Sequence, residues 1–300
     1  MQLMTTPLGS FTPEHVDTNK IGDIAYGHVG PDRAPVQIYT PFEYSPENGS
    51  ADFVAAIGLL ARPRQYHHLG QTLMSDNDRL VVFGHDHNYH RWPIRANAAD
   101  IVSGVKALEL EHFTAIGHSM GTIATLLAME DDDFAKATDL MVQVDPAMTG
   151  NHLAFNPSDL GNVAREGLLL AVKHPADAFD YTVGAIGEYV HRPFVIAKQV
   201  VRLVSGVVNE RYSELMARHP DKEYVIVYNH RDGLVPERWS DAVRGQNVSV
   251  LVHDSKTGLA HSAINVDPDF AHGLHAIAHH EALPASFKTI FDGTNNPVAA

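Results

Sequence analysis

The chain contains no cysteine. That absence removes disulfides, thiolate nucleophiles, iron–sulfur clusters and thiolate zinc sites from consideration, and it fits a reducing compartment. Basic charge is also scarce, since 22 Lys and Arg against 36 Asp and Glu leave a formal net charge of −14. Such a surface offers no broad basic face to DNA, RNA or an anionic bilayer, so no nucleic-acid partner is expected and small neutral or apolar molecules fit better. No apolar run approaches the roughly 20 residues that span a bilayer. The opening MQLMTTPLGSFTPEHVDTNK has no basic stretch followed by an apolar one, which predicts a cytoplasmic protein.

What is present is enough hydrophobic material for a large core. The 300 residues are 44% hydrophobic and 19% charged, which suits one large domain or a core domain carrying an insertion. Short apolar runs at 21–29, 35–40, 52–60, 79–85, 112–117, 139–145, 224–229 and 248–253 alternate with amphipathic segments of helix length. Runs this uniformly apolar are buried on both faces, so the pattern predicts an α/β fold with a mostly parallel eight-stranded sheet between helices. The rhythm breaks between 147 and 220, where helix-like segments are punctuated by Pro157, Pro175 and Pro193. This predicts a core of 1–146 and 221–300 with a helical cap at 147–220.

Two segments compete as the chemical centre. The first is VVFGHDHNYHRW (81–92), with three histidines and an aspartate within six residues. It is similar to the G-H-x-H motif of metallophosphoesterases and to the H-x-H-x-D-H motif of metallo-β-lactamase-like hydrolases. Each needs partners: no D-x-H or N-H-D/E segment precedes it, and Tyr89 stands where the second motif needs aspartate. A di-metal site draws carboxylates and imidazoles from separate loops, so a metal-dependent phosphoesterase is the alternative reading. Neither a cofactor nor a metal is expected in the main one. The chain's 20 histidines are spread without a repeated ligand spacing, and most suit surface or hydrogen-bonding roles.

The second segment is AIGHSMGTIATLL (115–127), which has the form G-x-S-x-G with Gly117, Ser119 and Gly121. A strand that ends and a helix that begins within five residues forces a sharp turn with the serine at its apex, and the flanking glycines leave room for it. The turn lifts the hydroxyl clear of the sheet toward a base, and the helix start offers the Met120 N–H to a developing oxyanion. Downstream, EYVIVYNHRDGLVPERW puts Asp232 just past a strand, and VSVLVHDSKTGLAHSAINVDPDF puts His261 on a loop after the next one. Asp145, directly after an earlier strand, is a second candidate acid. His230, His253, His272, His275, His279 and His280 are rival bases, although histidines on a helix more often pack or face solvent.

With these residues in this order, the sequence resembles the α/β-hydrolase superfamily from about Thr12 to Phe291, in the form of a serine esterase with a helical cap. IAYGHVGPDRAP is similar to that family's second strand and turn, and NHRDGLVP and GLAHSAINVDPDF to its acid and histidine loops. The resemblance implies a nucleophile (Ser119), an acid (Asp232) and a base (His261). It also implies a second oxyanion N–H after the third strand, where AAIGLLARPRQY places Leu59, with Phe42 a rival register. Asp86 agrees with the family's fourth-strand loop, whereas Tyr89 and Arg91 replace its glycines.

The expected activity is hydrolysis of a carboxylic ester, lactone or thioester, and activity is expected to fall as pH drops through the imidazole range of about 6 to 7. A hydrolase-fold protein that binds a ligand without turnover is a further alternative. Leu168, Leu169, Leu170, Phe179, Tyr181, Ile186, Phe194, Val195, Ile196 and Val200 are the cap residues available to an apolar acyl pocket.

Overall fold

The computed structural model describes residues 11–29, 34–58, 61–84, 93–146, 157–179, 182, 216–233, 235 and 247–293. Its strands are β1 (His15–Thr18), β2 (Gly22–Val29), β3 (Ala34–Pro41), β4 (Asp52–Ala56), β5 (Arg79–Phe83), β6 (Phe113–His118), β7 (Thr138–Val144), β8 (Glu223–Asn229), β9 (Val248–His253) and β10 (Phe287–Asp292). The helices used below are α1 (His67–Ser75), α2 (Pro93–Ala107), α3 (Gly121–Ala128), α4 (Asp132–Ala137), α5 (Pro157–Lys173), α6 (Ala263–Val266) and α7 (Pro268–Ala278).

Side chains on a strand alternate between faces, so a strand buried on both sides feeds two cores. Along β8, Tyr224, Ile226 and Tyr228 join one apolar cluster with Ile101, Val105, Ile123 and Phe134 from α2, α3 and α4. Val225 and Val227 of the same strand join the other, with Leu69, Leu73, Phe270 and Leu274 from α1 and α7. The sheet is thus the middle of three layers. Helix α7 starts where Pro268 fixes the first turn and the Asp267 carboxylate accepts the Asp269 N–H, satisfying one of the donors a helix N-terminus leaves open.

The sheet has ten strands in the order β1-β2-β3-β5-β4-β6-β7-β8-β9-β10. The eight expected strands form the unbroken block from β2 to β9, within which β4 through β9 run parallel to one another. Two antiparallel edge strands, β1 and β10, extend it. Sequence periodicity misses both for physical reasons. Every residue of β1 is exposed, and a register shift between Thr289 and Phe291 breaks the alternation of β10. The run at 52–60 yields a strand only as far as Ala56.

The two edges of the parallel block differ. At the N-terminal ends of β4 and β5, Arg79 makes a two-pronged ion pair with Asp52, each bond 2.6 Å. The C-terminal ends carry Ser119, Asp145 and the loops that follow, the edge where open α/β sheets bind ligands. Of the expected cap, α5, a helical turn at 175–179, residue 182 and residues 216–220, helical at 216–218, are described. Among the described residues no helix is long and apolar enough to cross a membrane.

Candidate active site

Ser119 follows β6 directly and has φ +53°, a left-handed conformation that side chains other than glycine rarely adopt. Its N–H donates to the Val144 carbonyl at 2.9 Å, and α3 begins two residues later. The flanking glycines are required by packing. A Cβ on Gly121 would overlap the Ala56 carbonyl, and one on Gly117 would overlap the backbone of Thr122. Gly58 also abuts the serine, since a Cβ there would lie 3.2 Å from that of Ser119. Leu59, the expected second oxyanion donor, lies outside the described residues, as does the histidine cluster of 85–90. Phe42, the other register considered for that donor, is a half-exposed residue at the end of β3.

His261 and Asp232 come together, the imidazole Nδ1–H donating to Asp232 Oδ2 at 2.7 Å. Asp232 is buried, and its other oxygen accepts the Val235 N–H at 3.0 Å. The rival acid stands one step further back. Asp145 Oδ2 lies 4.0 Å from His261 Nδ1, and its two oxygens accept the backbone and side-chain N–H groups of Asn229 at 2.8 and 2.6 Å. Burial, reinforced by the charge of Asp232, pushes the Asp145 carboxyl well above the carboxylate range.

Burial opposes protonation of His261, but Asp232, followed by Asp145 and Glu166, outweighs it and raises the imidazole to about 9. The alkaline position differs from the sequence expectation of about 6 to 7, which took the value of an unperturbed imidazole and left out the pull of the surrounding carboxylates. Among the rivals, buried His253 donates to Asn229 Oδ1 at 2.7 Å and is pushed down to about 4 by burial. His272, His275 and His279 pair with Asp76 and Asp78 beside the start of β5, at the opposite edge of the sheet.

Three further residues organise the site without a sequence signal that marks them. His118 Nε2–H donates to the His261 carbonyl at 3.0 Å, so its Nδ1 accepts the Tyr66 hydroxyl at 2.6 Å, and Tyr66 Oη in turn accepts the Gly58 N–H at 3.4 Å. Burial, with His261 beside it, holds the His118 imidazole well below its ordinary range, consistent with a neutral ring that donates from one nitrogen and accepts at the other. The third residue is Glu166 on α5. Its carboxylate accepts the N–H groups of Ala260, His261 and Ser262 at 3.2, 3.1 and 2.7 Å and the Ser262 hydroxyl at 2.5 Å. Lys173 adds a bond to the Thr257 carbonyl at 2.7 Å. Leu170 packs with Leu259 and Val266, and Leu169 lies against them. Leu168 and Phe179 are exposed; Tyr181, Ile186, Phe194, Val195, Ile196 and Val200 lie outside the described residues.

No family model matches the sequence, and no curated protein matches it. Solved structures do match the fold. Est816, described as an N-acyl homoserine lactone degrading enzyme, superposes with TM-score 0.59 at 14% identity over 83% of this chain and 99% of its own. The 2-hydroxy-6-oxo-6-phenylhexa-2,4-dienoate hydrolase from Rhodococcus sp. strain RHA1 gives 0.57 at 16% identity, covering 88% and 99%. An esterase from Exiguobacterium antarcticum gives 0.57 at 12% identity, covering 84% and 97%.

Proposed function

We propose, from the α/β-hydrolase fold that this chain shares with those proteins, that it is a serine hydrolase cleaving a small, largely uncharged carboxylic ester or lactone. The observation that carries the reading is the 2.7 Å bond from His261 Nδ1 to buried Asp232, on loops at the same sheet edge as a serine held at φ +53°. Because Nδ1 carries the proton given to Asp232, Nε2 is the nitrogen left to accept one. In the proposed reaction His261 Nε2 takes the Ser119 proton as Oγ bonds to the acyl carbon. The carbonyl oxygen gains a negative charge, which the Met120 N–H and the Leu59 N–H stabilise. Collapse expels the alcohol, which receives the proton from His261, and water repeats the sequence on the acyl-enzyme to release the acid.

A panel of p-nitrophenyl acyl esters run beside p-nitrophenyl phosphate tests the reading. Ester hydrolysis is expected, with kcat/KM rising as pH increases toward 9, because the base works only when deprotonated and its neighbours hold the proton on to about that pH. Phosphate release without ester hydrolysis would instead favour the metallophosphoesterase alternative.

Glu166 enters this reading as a positioning residue, since it holds the backbone on both sides of His261 and its charge favours the imidazolium. Glu166→Gln keeps one acceptor oxygen but removes the charge. It is expected to lower kcat roughly tenfold through misplacement of the base and to move the limb of the pH profile to lower pH. An unmoved limb would assign Glu166 a purely structural role.

A further inference from the structure

The geometry points to a zinc-binding site formed by His68 of α1 with His174 and Asp177, at the end of α5 and in the helical turn after it. One oxygen of Asp177 faces both imidazoles, 3.4 Å from His68 Nε2 and 3.7 Å from His174 Nδ1, and the three ligand atoms lie within 4.8 Å of one another. These spacings exceed those of the protein's tightest hydrogen-bonded histidine–carboxylate pairs, at 2.6 Å for His275 with Asp78, 2.7 Å for His261 with Asp232 and 2.8 Å for His272 with Asp76, and fall just beyond the widest, at 3.1 Å for His279 with Asp78 and 3.2 Å for His112 with Asp139. Tetrahedral zinc with bonds of about 2.0–2.1 Å separates its ligand atoms by roughly 3.3 Å. The two histidine–carboxylate distances, 3.4 and 3.7 Å, are therefore close to the spacing of ligands around a shared metal.

The donor chemistry agrees. Two imidazoles and one carboxylate suit zinc and its transition-metal neighbours better than calcium or magnesium, which take oxygen ligands. Three protein ligands leave the fourth position to water, and the partial exposure of His68, His174 and Asp177 gives the ion an entry path. The backbone fixes the pair on the α5 side, because His174 N–H donates to the Leu170 carbonyl and Ala178 N–H to that of His174, keeping residues 174 and 177 on one helical face. A zinc ion here would fasten α5, which carries Glu166, to α1, which begins directly after Tyr66. The binding claim itself does not depend on the hydrolase reading.

The test is calorimetric titration of the tag-free, chelator-stripped full chain with zinc chloride, with His68→Ala, Asp177→Asn and His275→Ala alongside. His68→Ala and Asp177→Asn are each expected to bind one zinc fewer than the unaltered chain, and His275→Ala to bind as many. A zinc-dependent rise in thermal midpoint should be smaller in His68→Ala and Asp177→Asn. No saturable zinc binding, or the same stoichiometry in both of those variants as in the unaltered chain, would overturn the assignment. So would loss of a zinc in His275→Ala alone.

Discussion

Replacing Ser119 with alanine is expected to lower kcat for a p-nitrophenyl ester by roughly 10⁴- to 10⁶-fold, the scale of removing the nucleophile from a triad that acts as a unit. The thermal midpoint should stay nearly unchanged. Alanine at φ +53° carries the same backbone strain as serine, and the main-chain bond from residue 119 to the Val144 carbonyl survives. KM should change little, because the substitution removes only one hydroxyl. Retained turnover in a folded variant would remove Ser119 from the chemistry.

The second large effect separates the two carboxylates near His261. Asp232→Asn is expected to cost roughly 10³- to 10⁴-fold in kcat. An amide at 2.7 Å from Nδ1 can donate to that nitrogen, which moves the ring proton to Nε2 and blocks its role as base. It also removes the charge that stabilises the imidazolium. Asp145→Asn should behave differently. Asp145 is 4.0 Å from the ring and both of its oxygens are already used by Asn229, so kcat should stay within about tenfold of the starting enzyme. One Asn229 donor would then face an amide nitrogen in a buried site, lowering stability by about 1–3 kcal/mol. Kinetics and thermal unfolding of the two variants give opposite patterns if Asp232 is the acid. The reverse pattern would move that role to Asp145.

The parts of this arrangement that were legible in the sequence are those with local signals. Ser119 sits between an apolar strand and a helix with glycines two positions away on either side, and Asp232 and His261 each follow an apolar run that ends in a loop. Each signal is contained within a few residues. The supporting network has no such signature. Tyr66 meets His118 across 52 positions, Glu166 meets the His261 backbone across 95, and His118 meets the His261 carbonyl across 143. A glutamate on a helix reads as solvated surface until the loop that it caps is placed against it. The pH expectation shifted for the same reason, because the carboxyl groups around His261 come from the loop after β8, the residue that follows β7, and α5. The edge strands escaped because a solvated or irregular strand lacks the apolar alternation that marks a half-buried one.

The central claim is that an acyl group passes through Ser119, and the most direct measurement is the protein's mass within a single turnover. Enzyme mixed with an excess of p-nitrophenyl ester and quenched in acid should carry one acyl increment on the peptide containing the sequence GHSMG, with none in Ser119→Ala. Full ester turnover with the increment on another residue of the unaltered chain, or with an adduct that persists in Ser119→Ala, would contradict the account.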